Sequence, residues 1–388
     1  MNHRILVVDD EPDIELLIRQ RYKNQVRNKE LDFVFAGNGV QALERLREFP
    51  DVSLILTDIN MPEMDGLTFL TRLNELNRPE CISVIVSAYG DMTNIRTAMN
   101  RGAFDFLIKP FDFEDLDATI FKTLRHINFI QGAIASQKKL SLVERDLSIA
   151  ADIQLSMLPR TFPPFPERPE VEIFARILPA REVGGDFYDF YFIDADRLAF
   201  VIGDVSGKGI PAALYMTVSK ALLKNIACQV INPGECLRKL NNALLAERRQ
   251  AMFVTLFFGV LNTKMGTLHY SNGGHLSPYL LRPGGLPEPL PAVGGPIVGM
   301  LDDNEYDTGK FMLRKGDALF LYTDGVTEAR DPGGRMFDEA LLRESLTLLG
   351  RTPLENIVNG TIADVERFAG GAPQSDDLTI LTIKYAKT

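Results

Sequence analysis

The chain has 388 residues, 45% hydrophobic and 24% charged, which excludes a disordered or fibrous protein and divides more readily into two domains than one. Its net charge of -10 argues against a nucleic-acid surface, because duplex binding depends on Lys and Arg neutralising phosphates. Cys81, Cys228 and Cys236 show no metal-type pairing and read as reduced thiols of a cytoplasmic protein. The N-terminal apolar run meets acidic residues too early for a signal peptide. The longest apolar run, Ala251 to Leu261, is about half of a membrane span of roughly 20 residues and reads as a buried strand.

From the N-terminus, RILVVDD, LDFVFA, SLILTD, SVIVSA and DFLIKP read as strands, with helical patterns such as VQALERLREF, GLTFLTRLNEL and TNIRTAMNRG between them. Five strands alternating with five helices predict an α/β doubly wound parallel sheet whose working residues stand at the carboxyl ends of its strands. Near Phe113 the pattern becomes one long helix, running to Leu158 and ended by PRTFPPFPERPE. Leu140, Val143, Leu147, Ala150, Ile153 and Met157 recur along it at spacings of three and four. That seam packs either on its own domain or on a second copy.

Beyond the prolines come EIFARIL, FYDFYFID, LAFVIGDV, MFVTLFFGVL, TLHYSNGG, DALFLYTDG and DLTILTIKY. Two helical blocks, IPAALYMTVSKALLKNIA and PGECLRKLNNALLAE, are grouped rather than interleaved with these strands. Such segregation predicts an α+β layered β-sandwich with flanking helices. The expected organisation is therefore a first domain over residues 1–125, a helical linker over 126–160 with a candidate coiled-coil dimer seam, and a second domain over 161–388.

Four strand ends of the first half carry Asp9 with Asp10, Asp58, Ser87 and Lys109, which converge in a doubly wound sheet. Three carboxylates in one cleft repel one another and call for a hard divalent cation, Mg²⁺ above all. Asp58 can then act as a nucleophile toward a phosphoryl group, with Ser87 and Lys109 stabilising its oxygens. The motifs VVDDE, TDINMPEMDG, SAYGD and FLIKPF, in this order, resemble those of the receiver domains of two-component response regulators. The resemblance implies that Asp58 is the phosphoacceptor, that Asp9, Asp10 and the Asn60 carbonyl serve the magnesium ion, and that Phe106 is the switch aromatic beside Ser87 and Lys109. Many receivers carry tyrosine at the switch position; phenylalanine keeps the ring and lacks the hydroxyl.

GDVSGKG, Gly203 to Gly209, is not a phosphate-binding P-loop. Such a loop needs a glycine ahead of its Gly-Lys pair and a Ser or Thr after it, where this chain has Ile202 and Gly209. Asp204 instead ends an apolar run and precedes glycines that give the backbone room, as a metal-binding carboxylate is often presented. Further strand-end carboxylates are Asp186 with Asp189, Asp324, and Asp376 with Asp377. A histidine-free, all-oxygen set selects Mg²⁺ or Mn²⁺ over zinc, and two such ions about 3.5–4 Å apart activate a bridging water for in-line attack on a phosphomonoester.

These motifs, with AADIQLSMLP and NGGH, resemble the SpoIIE/RsbU branch of the type 2C metal-dependent serine/threonine phosphatases over about residues 145 to 386. By that resemblance Asp204 bridges two Mn²⁺ or Mg²⁺ ions, Asp186 and the Val205 carbonyl serve one, and Asp324 and Asp376 serve the other. Asp377 is a further candidate ligand, and Arg181 a candidate for bidentate contact with substrate phosphate. Lys208 reads as solvated and His275 as structural. The expectation is a response regulator whose Asp58 controls a phosphatase, with a histidine kinase as donor and a phosphorylated anti-sigma-factor antagonist as substrate. It includes a homodimer through the linker helix, no nucleic acid and no membrane. The rival is a phosphorylation-gated adaptor that binds a partner through a phosphatase-like domain without catalysis.

Overall fold

The computed structural model describes residues 3–88, 91–246 and 252–386. Tyr89 and Gly90 of SAYGD, Glu247 of the second helical block and Ala251 of the apolar run lie outside them. The chain divides into two compact units, Met1–Val143 and Glu144–Thr388, and the expected boundary at residue 125 falls inside a continuous helix.

In the first unit β1 (His3–Val8), β2 (Leu31–Ala36), β3 (Val52–Asp58), β4 (Ile82–Ala88) and β5 (Asp105–Lys109) form a sheet in the order β2-β1-β3-β4-β5. All four pairings are parallel. β3 is buried at every residue, as a central parallel strand covered on both faces must be. Side chains alternate between two cores: Ile5, Val7, Leu54 and Leu56 lie on one face, and Leu6, Val8 and Ile55 on the other. Around the sheet run α1 (Pro12–Arg21), α2 (Lys23–Arg27), α3 (Gly39–Glu48), α4 (Gly66–Glu75) and α5 (Met92–Asn100). Asn38 and Asp65 cap α3 and α4 by accepting the N–H of Gln41 and Thr68, so both helices start where their orphan donors are met.

The next helix, α6 (Phe113–Ser156), has 44 residues. Leu116, Ile120, Leu124 and Ile127 enter the first unit's core. Between Ile127 and Gln154 no residue of α6 is buried. Leu140, Val143, Ala150, Ile153 and Met157 of the predicted seam are exposed and Leu147 is half-buried, so over Leu140–Ile153 the seam is not packed on its own domain.

The second unit contains β6 (Val171–Leu178), β7 (Phe187–Phe192), β8 (Arg197–Val205), α7 (Ile210–Ala227), α8 (Pro233–Ala246), β9 (Val254–Asn262), β10 (Thr267–Gly273), β11 (Tyr279–Leu281), β12 (Glu288–Pro289), β13 (Gly309–Met312), β14 (Ala318–Tyr322), α9 (Asp324–Thr327), α10 (Asp338–Leu349), α11 (Leu354–Ala369) and β15 (Leu378–Tyr385). Two antiparallel five-stranded sheets have the orders β13-β10-β9-β8-β7 and β12-β11-β14-β15-β6. One core joins Phe200 and Phe257 of the first sheet to Ile173, Leu321 and Leu381 of the second, and to Met216 and Leu240 of α7 and α8. A second core packs Phe320 and Ile380 against Leu346 of α10 and Val358 of α11. The sandwich is thus flanked by helices, but the two predicted blocks account for only one helical layer. α10 and α11 make the other, and β11, β12 and β13 were also unanticipated. These three are too short to show a period of two over several residues.

Candidate active sites

In the first unit the parallel topology brings the ends of β1, β3, β4 and β5 together. The carboxylates of Asp9, Asp10 and Asp58 offer oxygens within 4.8 Å of one another. Lys109 Nζ donates to Asp58 Oδ2 at 2.6 Å, Asp9 Oδ2 at 2.8 Å and Glu11 Oε1 at 2.9 Å. Burial alone would lower the lysine pKa, but its bonds to Asp58, Asp9 and Glu11 outweigh that and hold it above an ordinary lysine. Burial also raises the Asp9 carboxyl, against the opposing bond from Lys109. Ser87 Oγ is buried without a hydrogen-bond partner among the described residues, and an incoming oxyanion would satisfy it. Asn60 donates its backbone N–H to Asp58 Oδ1 at 3.1 Å. Phe106 is 36% exposed. Glu11, the third acceptor of Lys109, was missed by sequence reasoning. The cluster is all-oxygen and fits a hard divalent cation.

In the second unit the sites lie at one end of the sandwich. Because β7 and β8 are antiparallel, with Phe187 opposite Gly203, Asp186 before β7 and Asp204 near the end of β8 are neighbours. β14 and β15 pair with Tyr322 opposite Ile380, which places Thr323 and Asp324 beside Asp376, Asp377 and Thr379. Hydroxyls tie the two sheets: Thr323 Oγ1 and Thr379 Oγ1 donate to Asp186 Oδ2 at 2.7 and 2.6 Å. A Cβ on Gly185 would stand 2.8 Å from the Val205 carbonyl oxygen, so this carbonyl faces the Asp186 loop. Gly207 and Gly209 have φ of 91° and 75°, a region that favours glycine, and they turn the chain sharply after Asp204.

The electrostatics are those of an acidic cluster offset in part by Lys208, which pairs with Asp376. Burial, then Asp324 and Asp376, push Asp204 up to about 7. Burial, then Asp204 and Asp377, raise Asp186, with the two threonines opposing. Burial, Glu328 and Asp376 raise Asp324. Among the described residues no three of these carboxylates bring oxygens within 4.8 Å of one another, as Asp9, Asp10 and Asp58 do, but their chemistry fits hard divalent cations, whose charge would relieve the repulsion.

Three other acidic or basic residues have settled partners. Asp377 is buried, and its carboxylate accepts the backbone N–H of Ala180 and Gly185 at 2.8 Å and of Asp186 at 3.4 Å. Its lone pairs are therefore directed at the Asp186 loop. Asp189 is buried and paired with Lys220 at 2.7 Å. Lys208, read from sequence as solvated, donates to Asp376 Oδ2 at 2.7 Å and to the Ser375 carbonyl. Because its ammonium occupies one oxygen of Asp376, Lys208→Ala is expected to tighten Mn²⁺ binding by about two- to fivefold, the worth of a half-exposed pair. Calorimetric titration of the metal-free chain would read this, and weaker binding would reverse the assignment.

His275 bonds Thr255 Oγ1 through Nδ1 at 3.1 Å and the Tyr322 carbonyl through Nε2 at 3.1 Å. Since the carbonyl only accepts, Nε2 carries the proton. Burial lowers the ring to about 4, so it is a neutral strut between β9 and β14. Arg181 is exposed on the loop leading to Asp186, with no hydrogen bond recorded among the described residues.

Residues 5–121 match the response regulator receiver domain and residues 194–386 match Stage II sporulation protein E (SpoIIE). Asp186 lies outside both matches, so its place in the site rests on geometry. Protein IcfG of Synechocystis sp. is 31% identical over 285 residues, 66% of this chain. The chain spans only 44% of the length of IcfG. Phosphoserine phosphatase RsbU of Bacillus subtilis is 28% identical over 246 residues, 62% of this chain and 70% of RsbU. Among solved structures, the SiaA-PP2C domain of Pseudomonas aeruginosa superposes with a TM-score of 0.57 at 24% identity, over 65% of this chain and 99% of that domain, a likeness of fold. The chain thus carries an N-terminal response regulator receiver domain followed, through α6, by a phosphatase-type domain of the SpoIIE, or PP2C, family.

Proposed function

We propose that phosphorylation of Asp58 controls a metal-dependent serine/threonine protein phosphatase in the second unit. The observation that carries the reading is the set Asp186, Asp204, Asp324 and Asp376 at one end of the sandwich, with no histidine or cysteine among the four. Two Mn²⁺ or Mg²⁺ ions there would supply a nucleophile from water at neutral pH and charge to balance the phosphoryl group. The chain's own residues divide the remaining work. Asp186 is oriented by Thr323 and Thr379, Val205 turns its carbonyl toward the Asp186 loop, Asp377 fixes that loop's backbone, and Arg181 is free to grip the substrate phosphate.

In the receiver, Asp58 takes the phosphoryl group from a histidine kinase partner. Asp9, Asp10 and the Asn60 carbonyl would hold Mg²⁺, which would balance the phosphoryl charge, Ser87 and Lys109 would meet the phosphoryl oxygens, and Phe106 would turn inward. The likeness to RsbU supports a phosphoserine substrate, which we assign to a phosphorylated anti-sigma-factor antagonist in the cytoplasm. The exposed α6 seam supports a homodimer. No helix among the described residues is long and apolar enough to cross a membrane.

The test is turnover of a phosphoserine protein with Mn²⁺, with and without beryllofluoride. Wild type is expected to change rate by about fivefold or more on treatment, and Asp58→Asn not at all. A chain that binds Mn²⁺ yet hydrolyses no phosphoserine substrate in either state would establish the adaptor instead.

A further inference from the structure

Gln154 is the first buried residue of α6 after Ile127, at 8% exposure. Ile153 and Met157 are 54% and 41% exposed, whereas Leu155 and Leu158 pack into the second unit's core, so Gln154 is the polar residue on the inward face of this helix end. Its side chain makes a closed pair of hydrogen bonds with one backbone residue: Nε2 donates to the Gly184 carbonyl at 2.7 Å, and Oε1 accepts the Gly184 N–H at 3.1 Å. A carboxamide does both at once without depending on its protonation state, which an ionised carboxylate or an ammonium cannot.

Gly184 stands two residues before Asp186, and the segment between them is confined from other sides as well. A Cβ at Gly184 would lie 2.2 Å from Asp377 Oδ2, and that same oxygen accepts the Gly185 N–H. The loop is therefore threaded between the Asp377 carboxylate and the Gln154 carboxamide. No regular strand pairing is available to it, because β7 begins only at Phe187. Its buried backbone groups must be met by side chains.

We propose that Gln154 is a positioning residue for the metal site, the contact by which the end of α6 fixes the Asp186 loop in a metal-binding geometry. The proposal rests on the reading of Asp186 as a metal ligand. It assigns α6 a direct part in completing the site: when Gln154 is seated, Gly184 is held and Asp186 is presented. When the helix end withdraws, two buried backbone groups lose their partners and Asp186 loses its support. Groups that orient metal ligands at one remove typically change affinity by about 10–100-fold when lost.

The experiment is Mn²⁺ titration of the full chain by calorimetry, beside phosphatase assays over a range of Mn²⁺ concentrations. Gln154→Met keeps the length and apolar volume and removes both bonds. It is expected to weaken Mn²⁺ binding about tenfold, with activity recovering at saturating Mn²⁺ and an unchanged KM for the phosphoprotein. Gln154→Glu keeps an acceptor for the Gly184 N–H but sets an oxygen against its carbonyl. It is expected to fall on the same side, and carries the test should the methionine variant not fold. A lower melting temperature with unchanged Mn²⁺ affinity would overturn the proposal by reducing Gln154 to a structural residue. Failure of the wild type to bind Mn²⁺ would instead sink the underlying metal-site reading.

Discussion

Replacing Asp204 with alanine is expected to reduce metal-dependent turnover by about a thousandfold or more, several kcal/mol of transition-state stabilisation, while making the metal-free chain more stable. The two effects share one cause. Asp204 stands among Asp186, Asp324, Asp376 and Asp377, and burial followed by Asp324 and Asp376 raises it to about 7 from an ordinary 3.8. A carboxyl raised on folding favours the folded state when protonated, so its contribution is fully present below pH 3.8 and is lost as pH rises through 7. Metal-free wild type should therefore lose melting temperature over that window, and Asp204→Ala should lose less. Each kcal/mol of relieved repulsion corresponds to about 2–4 °C for a unit of this size. Calorimetric scans with and without Mn²⁺ read both signs: added Mn²⁺ should stabilise wild type at pH 7.5 and stabilise the variant far less. An Asp204→Ala chain that keeps full turnover, or melts lower than wild type without metal, would contradict the assignment.

Asp377→Ala should act in the opposite direction. Asp377 adds to the repulsion on Asp186 and Asp204, so on charge alone its removal would stabilise the metal-free chain. Its hydrogen bonds decide otherwise: the N–H groups of Ala180 and Gly185 at 2.8 Å would be left without their acceptor, at about 1–3 kcal/mol for each buried donor. The expected loss is about 3 kcal/mol, with weakened Mn²⁺ binding because the Asp186 loop is released. Asp377→Asn separates the two causes. It removes the charge but keeps only one acceptor oxygen, turning an NH₂ toward a backbone donor on the other side, and should also destabilise. Higher melting temperatures for both variants would show that charge repulsion prevails.

The carboxylates proposed for the two candidate sites stand out in the sequence because each follows or precedes a short apolar run, and topology needs only to bring the ends together. What supports them does not stand out. Thr323 and Thr379 reach Asp186 across separations of 137 and 193 residues, and no local pattern distinguishes them from ordinary strand threonines. Lys208 read as solvated because its partner, Asp376, is 168 residues away. Asp377 read as a further metal candidate, whereas its carboxylate is directed at backbone donors, a fact that depends on how the Ala180–Asp186 loop folds. α10 and α11 are a different kind of omission. Their amphipathic periodicity is present in FDEALLRESLTLLG and PLENIVNGTIADVERF, between the stronger apolar runs of DALFLYTDG and DLTILTIKY.

The long span of α6 without a buried residue bears on how order is distributed along the chain. Helical turns with no tertiary contacts are held by their own backbone bonds, and a segment of such length is marginal in water when isolated. Here both ends are pinned, by Ile127 in one core and Gln154 in the other unit, so the costly nucleation step is already met at each side. The middle is consequently the least protected stretch of an otherwise continuous rod. Its amide hydrogens open to solvent by small local excursions rather than by global unfolding, and its order can be adjusted without disturbing either core.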